Sequence, residues 1–104
     1  MKTTYQVKVA YSRAKNQANE IDDIADSIEK KRIKLTDERI KLTGYWRGTN
    51  ANNYRDKMVQ RENELSAIVA DLRRIASTIR QVAKNSHDAD MRAIKLVQQN
   101  SNKK

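Results

Sequence analysis

Few side chains in this sequence have the chemistry that catalysis or metal binding requires. Cysteine is absent, and the single histidine, His87, is followed by Asp88. A histidine and a carboxylate can activate a serine nucleophile, but the chain has no nucleophile elbow and no glycine-rich phosphate loop. No spacing matches a zinc site or an EF-hand loop. We therefore expect a non-enzymatic protein without cofactor or metal, in which His87 lies in a solvated break between helices.

The positive net charge of the chain is the property that most strongly indicates a binding partner. The formal net charge is +9 at pH 7, which is compatible with nucleic acid, an anionic membrane surface or an acidic protein. The densest basic cluster is Lys30, Lys31, Arg32 and Lys34. Such a run is either a solvated helix face or a contact for an acidic partner, and both interpretations stay open at this point.

The apolar segments are too short to span a membrane. No run approaches the ~20 apolar residues that a transmembrane helix needs. Residues 1–9 lack the apolar region of a cleaved signal peptide. The sequence therefore predicts no membrane insertion, no signal peptide and a cytoplasmic location before any export.

The elements that carry these side chains are predicted to be two long helices. Proline is absent, and the two glycines, Gly44 and Gly48, lie near the middle of the chain. In the first arm, apolar positions recur with spacings of four and three, a seam of period 3.5. Ile33 and Ile40 mark a second stripe, which indicates a second neighbour. The seam comprises Val7, Tyr11, Ala14, Ala18, Ile21, Ala25 and Ile28, and its register continues through Arg32, Leu35, Arg39 and Leu42.

The second arm repeats this spacing over a longer stretch. Its register contains Tyr54, Met58, Arg61, Leu65, Ile68, Leu72, Ile75, Ile79, Val82, Ser86, Ala89, Ala93 and Leu96. A flanking file of Val69, Ala76 and Ala83 makes the stripe wider than one partner helix would cover. We therefore predict a four-helix or larger assembly with a partner. The predicted hairpin seam is Ile21, Ile28, Leu35, Leu42, Met58, Leu65, Ile68, Leu72, Ile75, Ile79 and Val82.

Breaker residues predict where the helices begin and end. The first helix is expected at about residues 8–43, the turn at 44–49 and the second helix at about 50–86. Gly44 is placed just past the first helix in a left-handed conformation, and Thr49 or Asn50 caps the second. The polar run 85–88 predicts a break, followed by a short helix at about 88–97. The predicted domain is thus a single all-α antiparallel hairpin over 1–97, with a disordered tail at 98–104.

The turn contains two large aromatic residues, Tyr45 and Trp46. Turns of this kind usually carry small, polar residues. Trp46 is the only tryptophan of the chain, and tryptophan is also a frequent interface anchor. Trp46 is therefore either a plug that closes the end of the hairpin or a contact for a partner.

These residues resemble the WXG-motif, ESAT-like superfamily of type VII secretion. The resemblance rests on Trp46-Arg47-Gly48 in a mid-chain turn, with Ala51 and Tyr54 similar to the small residue and the aromatic that often follow. It implies an antiparallel helical hairpin that forms homodimers or heterodimers and is exported by a membrane-bound ATPase. It also implies a partner-binding role for Tyr45, Trp46, Gly48, Ala51 and Tyr54.

The sequence departs from that family in its export signal. Members usually carry Tyr or Phe with an acidic residue four positions later, whereas Val9, Lys15, Thr49 and Met58 stand four residues after the four tyrosines. This departure favours a protein that is exported with a partner, or acts on one, rather than one that engages the ATPase directly. The expected partner is the helical N-terminal domain of an LXG-type toxin, or a second small WXG-like protein.

Two other functions remain as alternatives. The chain is either an independently secreted ESAT-like dimer or a basic hairpin that binds nucleic acid. The second alternative is the weaker, because the cations are scattered over several helix faces and no nucleic-acid-binding signature is present. No small-molecule substrate is expected in either case.

Overall fold

Two helices account for nearly all of the described residues. The computed structural model describes residues 2–102. Helix α1 spans Thr4–Tyr45 and helix α2 spans Thr49–Asn102, and residues 2–102 contain no β-strand. The all-α class and the order helix, turn, helix are therefore confirmed, whereas packing into a four-helix assembly stays a prediction.

Helix α1 begins at Thr4 rather than near residue 8, because a capping box closes its first turn. The Gln6 N–H donates to Thr3 Oγ1 at 3.1 Å, and the Thr3 N–H donates to Gln6 Oε1 at 3.0 Å. Each side chain thus satisfies a backbone donor that has no partner within the helix. The Val7 N–H then donates to the Thr3 carbonyl at 3.1 Å.

The turn is shorter than predicted, and Gly48 rather than Gly44 has the left-handed conformation. Gly44 lies inside α1, which ends at Tyr45. The residue with positive φ is Gly48, at 114°. Its carbonyl accepts the N–H of Asn52 at 3.0 Å. Gly48 therefore holds the capping position predicted for Thr49 or Asn50, and the left-handed conformation predicted for Gly44 is corrected to Gly48, because the chain reverses there.

Helix α2 continues through the predicted break at 85–88. Gln81 Nε2 donates to Asn85 Oδ1 at 3.0 Å, a pair four residues apart on the helix surface. Asn85 is thus engaged with a side chain instead of competing for the backbone. The separate helix at 88–97 is corrected to a part of α2, and residues 98–102, predicted to be disordered, are also helical. The rest of the predicted tail, 103–104, lies outside the described residues.

Both helices contribute a segment to each of two compact units. The turn unit is Asp22–Arg74, and the terminal unit is described over residues 2–21 and 75–102. In the turn unit, α1 and α2 are antiparallel on either side of the three-residue turn. In the terminal unit, Arg80 Nη2 donates to Asn19 Oδ1 at 2.9 Å, and Lys2 Nζ lies 3.3 Å from Asp90 Oδ2. These two pairs give an antiparallel arrangement there as well.

Small side chains form the inner file of both helices. The buried apolar residues are Val7, Ala18 and Ala25 of α1 and Ala51, Met58, Val69 and Ala76 of α2. Alanine and valine let two backbones approach closely, so the file that contains them faces inward. The predicted seam residues that are half-buried beside this file are Ile21, Ile28, Leu35, Leu42, Leu65, Leu72 and Ile79.

Three predicted seam residues, Ile68, Ile75 and Val82, are exposed. Each precedes a residue of the flanking file, and one residue along a helix rotates the side chain by about 100°. Val69, Ala76 and Ala83, which the sequence placed at the edge of the apolar stripe, therefore form the inner file of α2. Ile68, Ile75 and Val82 are corrected to an outer file of α2.

Candidate partner-binding site

The tryptophan of the turn packs on the first turns of α2. The Trp46 and Tyr54 ring centroids are 5.5 Å apart, with an interplanar angle of 52°. The Trp46 carbonyl, beyond the end of α1, accepts Arg55 Nη2 at 2.9 Å. Trp46 nevertheless keeps 38% of its surface exposed. The side chain thus partly covers the turn and partly faces solvent, and its role as a plug or as a partner contact stays a prediction.

The other motif residues differ in burial and in what they contribute to the turn. Ala51 is fully buried in the first turn of α2, while Tyr45 and Tyr54 are exposed. A Cβ at Gly48 would meet no atom within 4 Å. The glycine is therefore required by its φ rather than by close packing. The arrangement leaves three aromatic rings, those of Tyr45, Trp46 and Tyr54, available at one end of the turn unit.

A polar layer crosses the seam of the turn unit. Arg39 Nε donates to Glu62 Oε2 at 2.7 Å, and Arg39 Nη2 donates to Glu62 Oε1 at 3.2 Å. The Thr36 hydroxyl also donates to Glu62 Oε1. Glu62 is the buried charged residue of the described chain, and a carboxylate in that position needs such partners.

Hydrogen bonding controls the charge state of this carboxylate. The bond from Arg39 lowers the pKa of Glu62, and the Thr36 hydroxyl and the charges of Arg39 and Arg32 act in the same direction against burial. The same pairing raises the pKa of Arg39. The sequence placed Arg39 in the α1 register but put Arg61, not Glu62, in the α2 register. The position of Arg39 in the otherwise apolar register of α1 could have indicated that an acidic residue of α2 faces it.

The basic cluster does not act as one surface. Lys30, Lys31 and Lys34 are exposed, whereas Arg32 Nε donates to both carboxylate oxygens of Glu29, at 3.0 and 3.1 Å. This bond lowers the pKa of Glu29 and raises that of Arg32. The three lysines are thus exposed to solvent, Arg32 is engaged within α1, and contact with an acidic partner stays a prediction.

His87 lies within α2 and is half-buried, so the predicted solvated break is corrected. Its ring centroid is 4.6 Å from that of Tyr11, and its Nδ1 lies 3.0 Å from Asp88 Oδ1. Helix α2 is continuous here, and the His87 ring packs against the ring of Tyr11 on α1. Within residues 2–102 no group of three or more histidine, aspartate or glutamate side chains is placed to hold a metal ion. Over the same residues, neither helix has a stretch apolar enough to cross a bilayer.

Large apolar side chains remain on the outside of both helices. In the turn unit they include Ile24, Ile33, Ile40 and Ile68, and in the terminal unit Ile75, Val82, Leu96 and Val97. Ile33 and Ile40 form the second stripe that the sequence predicted on α1. Exposed apolar files on an all-helical chain with an aromatic turn are typical of a small helical protein that binds another protein.

The comparison with known families agrees with this class. The profile of the WXG100 family, described as proteins of 100 residues with WXG, matches residues 6–91. The chain belongs to this family. It is thus a small helical protein of type VII secretion, from a family of non-enzymatic proteins that form helical dimers or bind other proteins. No curated protein and no solved structure matches the chain.

Proposed function

We propose that this protein is a non-catalytic targeting factor of type VII secretion that binds the helical N-terminal domain of an LXG-type toxin and accompanies it to export. The observation that carries the proposal is the exposed apolar file of α2, because Ile68, Ile75 and Val82 stand outside the inner seam of their own chain. A helical partner would bury such a file. Trp46, with Tyr45 and Tyr54 beside it, provides an aromatic anchor at the turn.

Co-expression with the helical N-terminal domain of an LXG-type toxin tests the proposal. We expect the two chains to purify as one complex, and export of the toxin to fail when this gene is deleted. Trp46→Ala should weaken the complex about tenfold or more, as expected for an interface anchor, with little loss of helix content. Tyr5→Ala is the matched control, because Tyr5 is an exposed aromatic in the terminal unit.

Other outcomes would point elsewhere. Export of this protein as a dimer from a strain without the toxin gene would support the independently secreted alternative. A large loss of helix in Trp46→Ala would make Trp46 a structural plug.

A further inference from the structure

The terminal unit contains an apolar groove between α1 and α2. Its volume is about 390 Å³, and its lining includes Val7, Ala10, Ala14, Ile79, Val82 and Ala83. Alanines on both helices leave this space open, and the rings of Tyr11 and His87, which pack against each other, also line it. Val82 forms one wall with 61% of its surface exposed. A volume of this size accommodates large apolar side chains, since ligand pockets typically measure about 300–1,000 Å³.

The same unit has the larger net positive charge of the two. Over residues 2–21 and 75–102 there are eight lysines and arginines against three aspartates and glutamates, a net +5. The turn unit has twelve against ten, a net +2. Lys2 and Asp90 lie in the lining of the groove, and Lys2 Nζ is 3.3 Å from Asp90 Oδ2. The apolar groove therefore belongs to a unit of net positive charge, which would attract acidic groups and repel basic ones.

We propose that this groove receives the apolar side chains of an acidic amphipathic helix from another protein, and that it does not pair with a second copy of this chain. The inference rests on the proposed function, since it specifies the chemistry of the helical partner. A second copy that presented its own groove would bring a net +5 against a net +5. The repulsion between like charges disfavours pairing with a second copy. Acidic residues on both sides of the apolar stripe of a partner helix would speed its association with the groove.

Two synthetic helical peptides test the proposal. Both carry leucine at the two apolar heptad positions, and the flanking positions carry glutamate in one and lysine in the other. We expect the full-length protein to bind the glutamate peptide at least about tenfold more tightly in about 0.1 M salt. The preference should shrink in about 1 M salt, where the Debye length falls from about 10 Å to about 3 Å.

Substitutions in the groove locate the binding. Val82→Glu places a negative charge in the wall, and Ala10→Leu fills the groove without a change of charge. Each should weaken binding of the glutamate peptide by about tenfold, a loss typical of one anchor position. Val59→Glu is the matched control, since Val59 is an exposed apolar residue of α2 that lies in the turn unit and outside the outer file. If Val82→Glu loses helix content by circular dichroism, Ala10→Leu decides the test.

Several results would overturn the proposal. These are equal affinity for the two peptides, no binding of the glutamate peptide, and unchanged affinity in Ala10→Leu. A homodimer that persists in sedimentation at low salt and dissociates in Val82→Glu would also refute it. Failure of the proposed function is distinguishable, because the toxin domain would then not co-purify even though the glutamate peptide binds the groove.

Discussion

Arg39 and Glu62 form an ion pair across the seam of the turn unit, with Nε and Oε2 2.7 Å apart. In the register of α1, Arg39 stands between Leu35 and Leu42, at a position where an apolar residue is expected. The pair is tolerated because the Thr36 hydroxyl and a second guanidinium N–H also reach the carboxylate. A shift of α2 by one turn would leave Glu62 buried without these donors, so the layer favours one alignment of the helices.

The first prediction concerns this pair. The pKa of Glu62 lies below its ordinary value of 4.5, so its charge stabilises the folded state above about pH 4.5. That contribution is lost as the pH falls through the lowered pKa. Glu62→Gln should reduce the free energy of unfolding at neutral pH by about 1–3 kcal/mol. It should also flatten the loss of stability on acidification, measured by urea unfolding at several pH values.

Glu64→Gln is the control for that experiment. Glu64 Oε2 lies 3.8 Å from Arg61 Nη1 in an exposed pair on the helix surface. Such a pair contributes about 0–1 kcal/mol, so this variant should keep nearly the full pH dependence. If both variants have the same acid profile, the layer around Glu62 does not control the acid stability of the protein.

The second prediction compares the two glycines. Gly44 is helical, and an added Cβ would meet no atom within 4 Å. Gly44→Ala should therefore stabilise the protein by about 0.5–1 kcal/mol. Gly48 has equally open surroundings but a φ of +114°. Gly48→Ala should destabilise by about 1–3 kcal/mol because alanine is strained there.

Denaturant unfolding of the two glycine variants measures both effects under one set of conditions. The prediction requires opposite signs. Destabilisation by Gly44→Ala would mean that Gly44, rather than Gly48, needs a conformation unavailable to alanine.

The sequence predicted α1 better than α2, for a physical reason. In α1 one apolar file contains the inner residues, and Ala18 and Ala25 mark it. In α2 two adjacent files are apolar, and periodicity alone cannot say which one faces α1. The inner file is set by how closely the two backbones approach. Val69 and Ala76 face inward, and the larger Ile68 and Ile75 face outward.

The turn and the polar layer were predictable to different degrees. The WxG motif located the turn, and the capping box formed by Thr3 and Gln6 was visible in the sequence as a threonine followed three residues later by glutamine. The choice of Gly48 over Gly44 as the left-handed residue was not visible, since both glycines flank the same segment. Glu62 could be paired with Arg39 only once the three-residue turn had fixed the alignment of the helices.

The last prediction tests which file of α2 faces inward, with two neighbouring residues. Val69 is 7% exposed and Ile68 is 45% exposed. Val69→Asp would place a charge among the buried apolar residues of the inner file, and should cost about 3–5 kcal/mol. This is enough to remove cooperative thermal melting from a two-helix protein of marginal stability. Ile68→Asp in the isolated protein should change stability by no more than about 0.5–1 kcal/mol, because the side chain stays in water. Circular dichroism melting of both variants, at one protein concentration, makes the comparison. If Ile68→Asp is the more damaging of the two in a monomer, the inner and outer files of α2 must be exchanged.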